Sequence, residues 1–86
     1  MTKEEIYDFI GDLSIALYSK NITISFASLS SILLERGVNY DPGRGMANGV
    51  KGAFHHWERK DPVIHHAIAR VFTDKDGNLA WEKYEE

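Results

Sequence analysis

Cysteine is absent from this chain, so neither a disulfide framework nor a thiolate metal site can hold it together. No apolar run approaches the roughly 18–20 residues that a membrane-spanning helix needs. Nothing repeats, no stretch is of low complexity, and no linker divides the chain. The opening MTKEEIYDFIGDL is acidic and lacks the basic start and cleavage site of a signal peptide. The expectation is one cytoplasmic domain, bacterial or phage, without a membrane partner. Catalytic signatures are missing as well. There is no phosphate loop, no nucleophile elbow and no pair of carboxylates in an apolar setting. Ser25, Ser28, Ser30 and Ser31 fit helix capping and helix surface, so the chain reads as non-enzymatic.

The 86 residues are 43% hydrophobic, with two Trp, four Phe and four Tyr, which is enough for one modest core built from apolar side chains alone. The net charge of −3 is unevenly spread. Residues 1–35 hold two lysines against five carboxylates, and residues 71–86 repeat that ratio. Between them, residues 36–70 hold six cations against three carboxylates, together with all four histidines.

The stretch RGMANGVKGAFHHWERK, Arg44 to Lys60, lies at the centre of that positive third. Wound as a helix at about 100° per residue, it puts Met46, Ala47, Val50, Ala53, Phe54 and Trp57 on one side, as a core-facing helix requires. Opposite lie Arg44, Asn48, Lys51, His55 and Arg59, a stripe without a carboxylate. A seam of Gly45, Gly49 and Gly52, with His56 beside it, runs between the two. Glycine in a helix interior costs about 0.8–1 kcal/mol against alanine, so the seam predicts a close approach by another element. Packing within the same domain is the first explanation, and a second protomer or a phosphate backbone is the other.

Flanking segments read in order. Thr2 and Glu5 form a capping-box pattern for a helix from Lys3, with Ile6, Phe9, Ile10, Leu13, Ala16 and Leu17 as its apolar face. Asn21 suits the left-handed position past its end. The β-branched run Ile22-Thr23-Ile24 favours a short strand. Ser25 then caps a second helix, Phe26 to about Arg36, which buries Phe26, Leu29, Ile32 and Leu33 and ends at Gly37. Asp41-Pro42 is a capping pair for the central helix, whose firm start is near Gly45. Beyond Asp61-Pro62 two periods compete. Val63, Ile64, Ala67, Ile68 and Val71 recur at helical spacing, whereas Ile68, Arg70 and Phe72 alternate with Ala69, Val71 and Thr73. The alternation favours a turn and a strand. The cluster Asp74-Lys75-Asp76-Gly77-Asn78 is a turn, and Leu79, Trp81 and Lys83 alternate in a return strand, giving a β-hairpin.

The resulting fold class is α+β and mostly helical: a three-helix core with a short strand and a C-terminal hairpin, in a single domain over residues 1–86. This element order resembles the winged helix-turn-helix superfamily across residues 3–84. The resemblance implies that Phe26–Arg36 is the second helix, Gly45–Lys60 the recognition helix, and Asp74–Asn78 the wing, with Ile22–Ile24 added to its hairpin. It implies a transcriptional regulator or mobile-element accessory factor that binds double-stranded DNA, as a monomer or a homodimer. The DNA-contacting residues would be Arg44, Asn48, Lys51, His55 and Arg59 on the helix, and Lys75 and Asn78 on the wing. Asparagine can pair with adenine and arginine or lysine with guanine, while the remaining cations hold phosphates. The sequence departs from the pattern in a seven-residue connection, Val38 to Arg44, and in a wing carrying one lysine between two aspartates. The alternative is a winged-helix module that engages another protein and no DNA. His55-His56 and His65-His66 offer no spacing that converges on a metal, so neither a metal nor a cofactor is expected.

Overall fold

A computed structural model of the chain describes residues 2–38, 45–74 and 76–79, without the side chains of residues 45–49. Helix α1 spans Lys3–Ser19, strand β1 Ile24–Ser25, helix α2 Phe26–Glu35, helix α3 Gly45–Lys60, helix α4 Pro62–Val71 and strand β2 Phe72–Thr73. The domain is thus a mostly helical α+β unit with four described helices and two short parallel strands. No described helix is long and apolar enough to cross a membrane.

Local chemistry sets the boundaries of the first half. Glu5 N–H donates to the Thr2 hydroxyl, and Thr2 N–H donates to the Glu5 carboxylate at 2.8 Å, closing the capping box expected at the start of α1. The Thr2 N–H first, and then the Thr2 hydroxyl, favour the charged carboxylate and hold the Glu5 carboxyl below its ordinary value. At the other end Asn21 takes a positive φ of 57° and Ile22 N–H donates to Leu17 C=O. Ser25 caps α2 by accepting from Ser28 N–H, and Gly37, at φ 81°, lets Val38 N–H return to Leu33 C=O.

The core joins Ile6 and Ile10 of α1, Leu29 and Leu33 of α2, Val50, Ala53 and Phe54 of α3, Ile68, Ala69 and Val71 of α4, and Phe72 of β2. The buried line of α1 is Ile6, Ile10 and Ser14, with Gly11 beside it. Phe9 and Leu13, expected at the centre of that face, are half-buried at its margin, and Ala16 is exposed. Ser14 is tolerated inside because its hydroxyl donates to Ile10 C=O at 2.6 Å. Small size at Gly11 lets Trp57 and Ile64 approach: a Cβ there would lie 2.8 Å from Trp57 Nε1 and 3.1 Å from Ile64 Cγ2. Gly52 of α3 meets Tyr7 of α1 in the same way, since a Cβ there would overlap the tyrosine hydroxyl and ring. At Gly52, then, the glycine seam serves packing within the domain.

The segment after Asp61 corrects the sequence reading. Residues 62–71 form helix α4, not a turn and strand. Asp61 is its N-cap, accepting from Val63 N–H at 3.0 Å, and Pro62 occupies the first turn, where a missing N–H costs nothing. Asp61 N–H also completes α3 by donating to Trp57 C=O, so a single residue turns one helix into the next. The helix wins because α1 and α3 together cover it: Ala67, Ile68, Ala69 and Val71 are all buried.

That helix leaves only Phe72 and Thr73 extended. They pair in parallel with Ile24 and Ser25, in the register Ile24 to Phe72 and Ser25 to Thr73. The expected hairpin is therefore corrected too: no β-hairpin wing is seen among the described residues, and its antiparallel contact is one bridge, Thr73 to Leu79. The turn itself does form. The Asp74 carboxylate accepts from Asp76 and Asn78 N–H, Asp74 N–H donates to Asn78 C=O, and Gly77 adopts φ 82°. The remainder of the expected return strand, 80–84, and the start of the central helix at Asp41-Pro42 lie outside the described residues.

Candidate functional site

Helix α3 is fixed from behind by two side chain to backbone bonds. Trp57 Nε1–H donates to Tyr7 C=O of α1 at 3.0 Å. His65 of α4 places Nδ1 2.7 Å from Phe54 C=O, with its ring stacked on Phe54 at 4.1 Å between centroids. A carbonyl only accepts, so His65 Nδ1 carries the proton. Both bonds reach the backbone of a neighbouring helix and set the rotation of α3 about its own axis. Apolar burial of Val50, Ala53 and Phe54 acts in the same sense.

With that face inward, Lys51, His55 and Arg59 project on the exposed side, four residues apart. Lys60, also exposed, lies with its ammonium 5.9 Å from the centroid of the Trp57 ring. Glu58 stands in the same region, its carboxylate 3.6 Å from His55 Nδ1, with both side chains more than half exposed. The carboxylate-free stripe thus has an acidic neighbour at its flank. The His55-to-Glu58 spacing of three residues was the available signal, since residues three apart on a helix are neighbours. His55, His56, Glu58, Arg59 and Lys60 together line an open depression of about 540 Å³.

Of the helix residues expected to contact DNA, the structure brings Lys51, His55 and Arg59 onto one exposed surface. Arg44 and the side chain of Asn48 lie outside the described residues. So does Lys75 of the expected wing, whereas Asn78 is exposed in the turn after β2.

The four histidines have four different settings. His55 faces solvent beside Glu58. His56 is half-buried, 5.0 Å from the Tyr7 ring and edge-on to Trp57, and its Nε2 is shielded without a hydrogen-bond partner. His65 rests on Phe54, and His66 meets Tyr18 edge to face at 5.5 Å. Among the described residues no three His, Asp or Glu side chains gather as metal ligands would. A turn and a strand after Pro62 give His65 no such role, because the contact exists only between two helices. No protein-family model matches the chain, and no curated protein or solved structure is significantly similar to it.

Proposed function

We propose that this chain is a small DNA-binding protein, a transcriptional regulator or mobile-element accessory factor rather than an enzyme, with α3 as its recognition helix. The observation that carries the reading is the line Lys51, His55 and Arg59, exposed on a helix whose opposite side is buried and bonded to α1 and α4. A helix held in this way can present a cationic surface without reorganising, which keeps the cost of docking low. Lys51 and Arg59, long and cationic, suit phosphate oxygens. Arg44 and Asn48 lie at the start of the helix, the end that recognition helices direct at base edges, and His55 follows one turn beyond Lys51.

A winged-helix arrangement is the finer reading of the fold. The order α1, β1, α2, α3 supports it, as does the pairing of β1 with the segment that follows the helices. The insertion of α4 before β2 departs from it. The second reading, a protein-interaction module, draws on Ile22, Leu34 and Val63, large apolar side chains left exposed.

The test is mutational. Lys51→Ala should weaken binding about equally on all duplexes and lower the salt slope by about one unit. Asn48→Ala should cost roughly 1–3 kcal/mol on a preferred site alone. Equal affinity of both variants and parent for every duplex would leave the interaction-module reading in its place.

A further inference from the structure

The exposed side of α3 is not uniform along its length. Its C-terminal end carries the depression lined by His55, His56, Glu58, Arg59 and Lys60. Arg59 and Lys60 are fixed cations there, and Glu58 is the one carboxylate of that lining. Lys60 sits beside the Trp57 ring, and that ring is bonded to the backbone of α1 through Nε1. This cation of the lining therefore stands beside an anchored ring. The shielded, unpartnered Nε2 of His56 belongs to a second wall residue. Asp61, the next carboxylate along the chain, accepts from Val63 N–H at the start of α4.

We infer that this end of α3 is a phosphate subsite in which Glu58 is a built-in competitor for the cations around it. The ligand is a nucleic-acid phosphodiester, so the inference rests on the DNA-binding reading and deepens it. Lys60 joins Arg59 as a phosphate contact, although it lies off the stripe read from the sequence. Glu58 holds affinity down, because a phosphate entering the depression meets a carboxylate that already sits 3.6 Å from His55. Such a residue limits non-specific binding and leaves discrimination to the start of the helix.

The experiment is fluorescence anisotropy of a labelled duplex with the full chain, comparing parent, Glu58→Gln, Glu58→Lys and Lys60→Gln, each checked by its melting curve. One charge removed at about 7 Å from a phosphate in a water-like dielectric should tighten binding about threefold, so that is the expectation for Glu58→Gln at low salt. Glu58→Lys should tighten it further, and both gains should shrink as salt screens the surface. Lys60→Gln should weaken binding and reduce the salt slope by about one unit. Folded variants that bind as the parent does would overturn the subsite and leave the DNA-binding reading standing. Failure of every form, the parent included, to bind any duplex would overturn both. Inorganic phosphate that competes far better than chloride at matched ionic strength would assign the depression to free phosphate and overturn the backbone reading.

Discussion

Helices α3 and α4 are neighbours joined through Asp61, and each carries an adjacent pair of histidines, yet they do opposite work. In α4 three consecutive residues, Ala67, Ile68 and Ala69, are buried. In α3 the burial stops at one side, and Lys51, His55 and Arg59 remain in solvent. On the proposed reading, the short helix is scaffold and the long one is the element presented. His65 connects the two roles, because it uses a residue of the scaffold to hold the backbone of the presented helix at Phe54.

If that division is right, the two helices should respond differently to truncation. Ile68→Ala removes a side chain with 0% exposure and should cost about 2–5 kcal/mol, enough to unfold much of a small domain. Lys51→Ala on the neighbouring helix should stay within about 0.5 kcal/mol of the parent. Chemical denaturation measures both, and an Ile68→Ala protein as stable as the Lys51→Ala one would abolish the distinction.

A smaller effect sharpens the account of how α3 is seated. Gly11→Ala places a methyl 2.8 Å from Trp57 Nε1, on a ring already held by its bond to Tyr7, and should cost about 1–3 kcal/mol by overpacking. Gly52→Ala meets the far end of the Tyr7 side chain, which can swing aside, and should cost less. The reverse order in thermal melting would show that Tyr7, not Trp57, sets the position of α3.

The smallest expected effect lies far from both helices, in the capping box of α1. Because the folded Glu5 carboxyl titrates below its ordinary value, its contribution is present above that value and is lost as pH falls through the lowered one. The Thr2 and Glu5 amide resonances should therefore move in that acid window, and Glu5→Gln should remove the movement. An unchanged titration in the variant would mean that some other group caps the helix.

Much of this fold is readable because its boundaries are chemical. Thr2, Asn21, Ser25 and Gly37 each do at their position what their side chain or φ preference allows, so α1 and α2 begin and end where local rules place them. The C-terminal end of α3 at Lys60 is equally local. The rest depended on neighbours. Val63 to Val71 follows a helical spacing and the overlapping Ile68 to Thr73 an alternating one, and only burial against α1 and α3 decides between them. The buried face of α1 turns towards Gly11 and Ser14, residues with no hydrophobic signal, because one admits Trp57 and the other satisfies its own hydroxyl. Parallel pairing of β1 with β2 joins segments 48 positions apart, beyond the reach of any local rule. For the site, the cationic line was legible from helical spacing, whereas Lys60, Glu58 and the depression they share required the helix to be fixed in place.

The central claim, that α3 presents a phosphate-binding surface, is tested most directly by the affinity of the unmodified protein for a labelled duplex at roughly 50 and 200 mM salt. Contacts from Lys51, Arg59 and Lys60 to three phosphates give a logarithmic slope of about −2.7, so binding should weaken roughly fortyfold between the two conditions. An affinity that does not change with salt, or no binding at either concentration, would contradict the claim.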